Sequence, residues 1–322
     1  MTVRFSLFLF VCSLAFGLRA QTTAPEVVAY LDTFYQSVST RLLDRDRYDW
    51  KQLRATTDSA TAGAQTTAEV HDHLHGLLQG LNKHSRLIPP AIMEEWNNRG
   101  HAAGNEATKG IPVTTGRRLN ERVVYLNMPH IGTGDRSLLT YFADTLQALI
   151  AALDSPETDG WILDLRENDG GNCWPMLAGI GPLLGEGVCG YFMQRDGSAA
   201  QPWAYRDGAS WMGEWEQTRV TGTPYVLQHP SPHIAVLTGP GTMSSGEVTA
   251  VAFRGLKNAR SFGAATGGYS TTNTNLLLPD GAMVILTVSG FGGRGSGVLW
   301  GRGGSGCGGG GCFGGSGGVV VK

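Results

Sequence analysis

Six residues, Thr242-Met243-Ser244-Ser245-Gly246-Glu247, stand between a short apolar run over residues 233–237 and a helical stretch that begins at Ser245. A serine placed where a strand turns into a helix presents its hydroxyl beside unpaired backbone N–H groups and the positive end of the helix dipole. Those groups can stabilise an oxyanion, so the position suits a nucleophile that attacks a carbonyl. The same spelling has an ordinary use: Ser244 with Glu247 three residues on makes a capping box, and in isolation capping is the commoner outcome. A second segment, Leu163-Asp164-Leu165-Arg166-Glu167-Asn168-Asp169-Gly170-Gly171-Asn172, runs from a strand into a double-glycine turn. Paired glycines let backbone approach a ligand closely and aim successive N–H groups at one point, although a plain tight turn uses the same residues.

A serine nucleophile needs an adjacent base. Leu81-Asn82-Lys83-His84-Ser85 closes an amphipathic segment, and an imidazole near half protonation at neutral pH can take the serine proton and return it to a leaving amine. By itself His84 also reads as a cation closing a helix. Farther back, His71, Asp72, His73 and His75 crowd one helix, and His71 with His75 has the i, i+4 spacing of two zinc ligands. The glutamate of His-Glu-x-x-His is missing, so a solvated helix face is expected there, with no metal and no cofactor.

These groups must be positioned by the rest of the chain. Residues 1–20 read as a cleavable secretory signal: Arg4, an apolar run, then Ala20 before a polar segment. That run is shorter than the roughly 20 residues of a membrane span, so a soluble, extracytoplasmic mature protein without stable membrane insertion is expected. Apolar residues recurring every three or four positions predict helices over 25–43 and 66–81, which form a helical cap domain within residues 21–110, with 97–116 as the connection. Over 111–289, strands at 122–126, 161–165 and 233–237 alternate with helices at 136–153, 174–184 and 245–253, and a hairpin is expected over 276–288. The alternation implies an α/β domain with its chemistry in strand-to-helix turns. From Gly290 to Gly318, 17 of 29 residues are glycine. So few side chains predict a disordered tail over 290–322, and the abrupt change of composition suits a shifted reading frame. Cys173 and Cys189 are expected as buried small hydrophobes, while pairing with Cys307 or Cys312 is left open. A formal charge of -2 over 322 residues offers no field for nucleic acid.

The pairing of Asp-Leu-Arg-x-Asn-x-Gly-Gly at 164–171 with Thr-x-Ser-Ser-Gly-Glu at 242–247, followed by Gly263 to Thr266 and Leu278-Pro279-Asp280-Gly281, resembles the tail-specific protease family, the C-terminal processing peptidases. The resemblance covers residues 120–289 in the family's order and spacing. It implies a fold of the crotonase and ClpP type, Ser244 as nucleophile, and an oxyanion hole from the Ser245 N–H with that of Gly170 or Gly171. Members with a Ser-Lys dyad carry the lysine shortly after Gly-x-x-Thr-x-Gly, but here Gly263-Ala264-Ala265-Thr266-Gly267-Gly268 is followed by Tyr269. The chain also lacks room for the PDZ domain that many members insert. A branch similar to the tricorn protease draws a histidine from the cap, which implies His84 as base; its preceding serine is Lys83 here, and its distant glutamate has no counterpart in the acid-free tail. The expected activity is that of a secreted serine-type peptidase working through an acyl-enzyme on Ser244, with a peptide or protein as partner. The alternatives are a catalytically impaired, peptidase-like binding protein and a metal-dependent hydrolase.

Overall fold

The computed structural model describes residues 22–100 and 111–295, without the side chains of 96–100. The expected signal over 1–20, Cys307, Cys312 and all of the glycine-rich tail beyond Gly295 lie outside the described residues.

Helix α1, Pro25–Arg41, starts on a proline, whose fixed φ suits a first helical position, and buries Val27, Tyr30, Leu31, Phe34, Tyr35 and Val38 along one stripe. Helix α2, Trp50–Ala60, buries only Thr57. It therefore has no apolar stripe for periodicity to detect, and its start is set by Asp49, which accepts from the Gln52 N–H at 3.0 Å. A short 3-10 turn, Thr67–Val70, leads into α3, His71–Leu81, then β1, Arg86–Ile88, and α4, Pro90–Gly100. The expected connection over 97–116 thus begins inside a helix.

The remainder builds two sheets around a layer of helices. Strands β2 (Thr115–Arg118), β3 (Val123–Asn127), β4 (Gly160–Asp164), β9 (His233–Thr238) and β10 (Ala259–Gly263) form one sheet in the order β10-β9-β4-β3-β2. All its pairs are parallel except β2 with β3. Helices α5 (Arg136–Leu153), α6 (Cys173–Gly179), α7 (Gly181–Leu184) and α8 (Ser245–Ala252) follow its strands. Between them run β5 (Gly187–Met193), β6 (Ala199–Arg206), β7 (Ala209–Met212) and β8 (Trp215–Arg219), which join β11 (Thr271–Leu277), β12 (Met283–Gly293) and β1 in a second sheet of seven strands. One core links Leu126, Leu163 and Val236 of the first sheet through Leu146, Met176 and Val248 of the helices to Phe192, Trp203 and Phe291 of the second. The single helix expected over 174–184 breaks at Ile180, next to a glycine whose Cβ would lie 1.9 Å from the Tyr205 ring.

Strand β12 changes partners along its length. Met283, Val284 and Ile285 pair with β1 on one side and β11 on the other, whereas Gly290 to Gly293 pair with β5. The boundary expected at 289/290 therefore falls inside a strand, and Phe291 is a core side chain. The cap is likewise not self-contained: Leu31, Phe34, Leu74 and Leu78 share one core with Leu278, Ala282, Val284 and Leu286 of the β11–β12 hairpin. His71 is buried there, not solvated. Its Nε2 lies 2.7 Å from Asp280 Oδ2 and 3.2 Å from the Tyr30 hydroxyl.

Candidate active site

Strand β9 delivers the chain to a turn that is pinned before it reaches the serine. The Thr242 hydroxyl donates to Leu165 O at 2.7 Å, and the Met243 N–H donates to Asn168 O at 2.9 Å. Ser244 then caps α8 with φ 48° and ψ -114°. A side chain at such a φ is strained by about 1–3 kcal/mol and persists only where its surroundings over-determine it. Glu247 is the main determinant. One oxygen, Oε2, accepts from the Ser244 N–H at 3.1 Å. The other accepts from the Thr266 hydroxyl, from Gly268 N–H at 3.1 Å and from the Ser270 hydroxyl at 3.1 Å. Burial pushes this carboxyl up, and the four donors oppose that push. Gly246 is required because a Cβ would lie 2.4 Å from Asn168 O.

The double-glycine turn meets Ser244 face on. Gly170 has φ 117°, and a Cβ on it would stand 2.9 Å from that of Ser244; Gly171 has φ 95°, and a Cβ there would strike Ile131 O at 2.1 Å. The two differ in their N–H groups. That of Gly170 donates to Asn168 Oδ1 at 3.1 Å, whereas those of Gly171 and Ser245 meet no acceptor among the described residues and border one cavity with Ser244. Asp164 and Arg166 of the same motif form an ion pair at 2.6 Å, with the Tyr125 hydroxyl donating to Asp164 at 2.7 Å. They brace the strand end.

His84 comes to the cavity from the turn after α3. Asn82 Oδ1 accepts from its N–H at 2.9 Å, Nδ1 lies 2.9 Å from the Thr271 hydroxyl, and the ring packs edge-on to Tyr269 at 5.0 Å between centroids. His84 and Ser244 line the same cavity of about 900 Å³. Burial, then the charges of Arg86 and Lys83, push His84 down to about 4, so the ring is neutral at neutral pH rather than half protonated. Lys83 turns aside: its ammonium donates to Gly267 O at 3.0 Å and lies 4.3 Å from the Tyr269 centroid. Cys173 is half-buried on the cavity wall and Cys189 is buried; burial pushes the Cys173 thiol up to about 12 and raises that of Cys189.

The helix histidines do not converge on a metal site. His71 turns to Asp280, His73 Nε2 to the Thr57 hydroxyl at 3.0 Å, and His75 Nδ1 to Leu87 O at 3.0 Å. The sequence reading passed over Thr271, Asn168 and Thr266. Asn168 and Thr266 lie inside the quoted motifs, but Thr271 carries no local signal.

A serine turn of this geometry, between a parallel sheet and a helix, defines a class. The chain belongs to Peptidase family S41, whose pattern its residues 122–294 match. It thus belongs among the tail-specific peptidases, hydrolases of peptide bonds in proteins or peptides. Among particular relatives, it is 27% identical over 243 residues to the nisin-resistance protein of Lactococcus lactis subsp. lactis, covering 75% of this chain and 70% of that one. It is 28% identical over 169 residues to the carboxy-terminal processing protease CtpA of Bacillus subtilis (strain 168), covering 52% and 32%. Of solved structures, a lipoprotein from Streptococcus agalactiae superposes with a TM-score of 0.65 at 22% identity, covering 84% of this chain and 86% of that one. The photosystem II D1 C-terminal processing protease gives 0.60 at 14%, covering 92% of each. The architecture is the α/β fold of this family with N-terminal helices.

Proposed function

We propose that the protein is a serine-type peptidase with Ser244 as nucleophile, His84 as general base, and the N–H groups of Ser245 and Gly171 as the oxyanion hole. The observation that carries this reading is the conjunction at Ser244: a strained serine, two free N–H groups and a neutral imidazole on one cavity. His84 Nδ1 lies 2.9 Å from Thr271 Oγ1; in the proposed mechanism Nδ1 carries the proton and donates to that oxygen, which leaves the Nε2 lone pair for the serine proton and makes Thr271 a positioning residue. Ser244 Oγ attacks the scissile carbonyl carbon as its proton passes to His84, and the carbonyl oxygen becomes the oxyanion. Collapse breaks the C–N bond, and His84 hands its proton to the departing amine. Water then attacks the acyl-enzyme, giving a proton to His84 that returns to Ser244 Oγ.

An extracytoplasmic location completes the proposal. It rests on the signal-like residues 1–20 and on a structural relative that is a lipoprotein; no helix among the described residues is long and apolar enough to cross a membrane. The test is labelling of Ser244 by a fluorophosphonate, with turnover of a peptide library by the purified chain and by Ser244→Ala. The variant is expected to lose a factor of about 10⁶ in rate and to keep its fold. Unlabelled wild-type protein, or an active Ser244→Ala, would sink the reading.

A further inference from the structure

His84 becomes positively charged each time it takes the Ser244 proton, and among the described residues no acid is paired with the ring to offset that charge. The Thr271 hydroxyl and the Tyr269 edge are neutral partners. Its own segment adds Lys83 and Arg86, both cations, and their fields disfavour the imidazolium. Of the acids nearby, Asp169 borders the cavity and pairs with His130 at 3.0 Å, while Glu247 of the serine turn accepts four hydrogen bonds.

The two cations differ in availability. Lys83 is held by Gly267 O and by the Tyr269 ring. Arg86 is exposed, borders the same cavity as Ser244 and His84, and meets no acid among the described residues. Across the sheet Arg86 pairs with Ile285 and Ile285 with Asn275, and all three border the cavity. The guanidinium therefore ends a row of side chains along the cavity floor, two residues from the base.

We propose that the substrate is an acidic peptide whose carboxylate pairs with the Arg86 guanidinium beside His84, so that the substrate itself supplies the anion this base lacks. The inference rests on the Ser244–His84 reading. A guanidinium fork matches a carboxylate in bidentate geometry. Once bound, the carboxylate offsets Arg86 and favours the imidazolium as it forms. Its effect is larger in the transition state than in the ground state, and it therefore appears in kcat. The carboxylate can come from an aspartate or glutamate side chain or from the C-terminus of the peptide.

The experiment uses the full chain and one cleaved peptide sequence in four forms, with glutamate or glutamine near the scissile bond and with a free or amidated C-terminus. Acidic forms are expected to show kcat about tenfold above the fully neutral form. The acid limb of their kcat profile should sit about one pH unit higher. The pair of forms that carries the difference identifies the source of the carboxylate. Arg86→Gln should erase the ratio between acidic and neutral forms, and Arg86→Lys should restore part of it. Equal kcat and coincident limbs for all four forms, with Ser244 still labelled by fluorophosphonate, overturn the inference and leave the nucleophile standing. A preference confined to KM overturns it too. Loss of both cleavage and labelling overturns the Ser244 reading beneath it.

Discussion

The two walls of the cavity hold the proposed nucleophile and the proposed base by different means. On the Ser244 wall a strained backbone is clamped by a buried carboxylate with four donors, and glycines fit where any Cβ would collide. On the His84 wall one hydroxyl and one aromatic edge orient a ring beside two cations. The first wall is fixed by many contacts that fail together. The second is set by few contacts, each open to adjustment. Geometry at Ser244 is therefore rigid, whereas basicity at His84 is tunable.

The sharpest challenge to this contrast is on the histidine side. His84→Ala should lower kcat by about 10⁴-fold or more, because the serine loses its proton acceptor. Lys83→Ala removes a cation–π contact worth about 1 kcal/mol and should change the rate by about tenfold at most. Turnover of both variants, with circular dichroism as a check on folding, decides between them: an active His84→Ala beside an inactive Lys83→Ala would transfer the base to lysine.

Glu247→Gln comes next. An amide can accept from the Ser244 N–H or from the 266–270 segment, but its NH₂ then faces donors. We expect destabilisation of about 2 kcal/mol by urea unfolding and a rate loss of about 10²-fold, with KM little changed. Unaltered kcat would show that the serine turn holds without its clamp.

Thr271→Val should give a small loss, about fivefold to tenfold in kcat, the worth of one neutral hydrogen bond; Thr271→Ser should recover it. In the free enzyme the acid limb of kcat/KM should lie near pH 4, where His84 protonates. Because that value is below the ordinary histidine range, the unfolded chain binds more protons between about pH 6.5 and 4. His84 thus lowers folding stability as pH falls through that window and has no such effect above it. A limb at pH 6 to 7 would mean that neither burial nor the two cations depress the ring.

Legibility in the sequence follows the same division. The serine wall could be read because its strand, turn and helix lie within residues 233–252. The choice between the Gly170 and Gly171 N–H groups is not legible there, since it depends on where the Asn168 side chain points. The partner of His84 is 187 residues away, across a sheet contact that no local pattern encodes. Strands β5 to β8 were passed over for a related reason. They form an antiparallel excursion whose burial does not alternate, as the sequence of β6 from exposed to buried residues shows. Composition misled at residue 290. The glycines there belong to a strand packed so closely that a Cβ on Gly190 would lie 2.6 Å from Gly292 O. Small residues in that stretch mark tight packing rather than a missing core.

The partner exchange along β12 also sets an order in time. The N-terminal helices are synthesised first, yet their core is incomplete until Leu278 to Leu286 arrive, and the sheet that carries Thr271 closes on β5 only with Gly290 to Gly293. His84 waits through more than half of the chain's synthesis before the cavity it shares with Ser244 is closed. Contacts of such long sequence separation form late in folding. A nascent or truncated chain that ends before residue 293 thus holds Ser244 and His84 without the closed sheet that sets Thr271 beside the histidine.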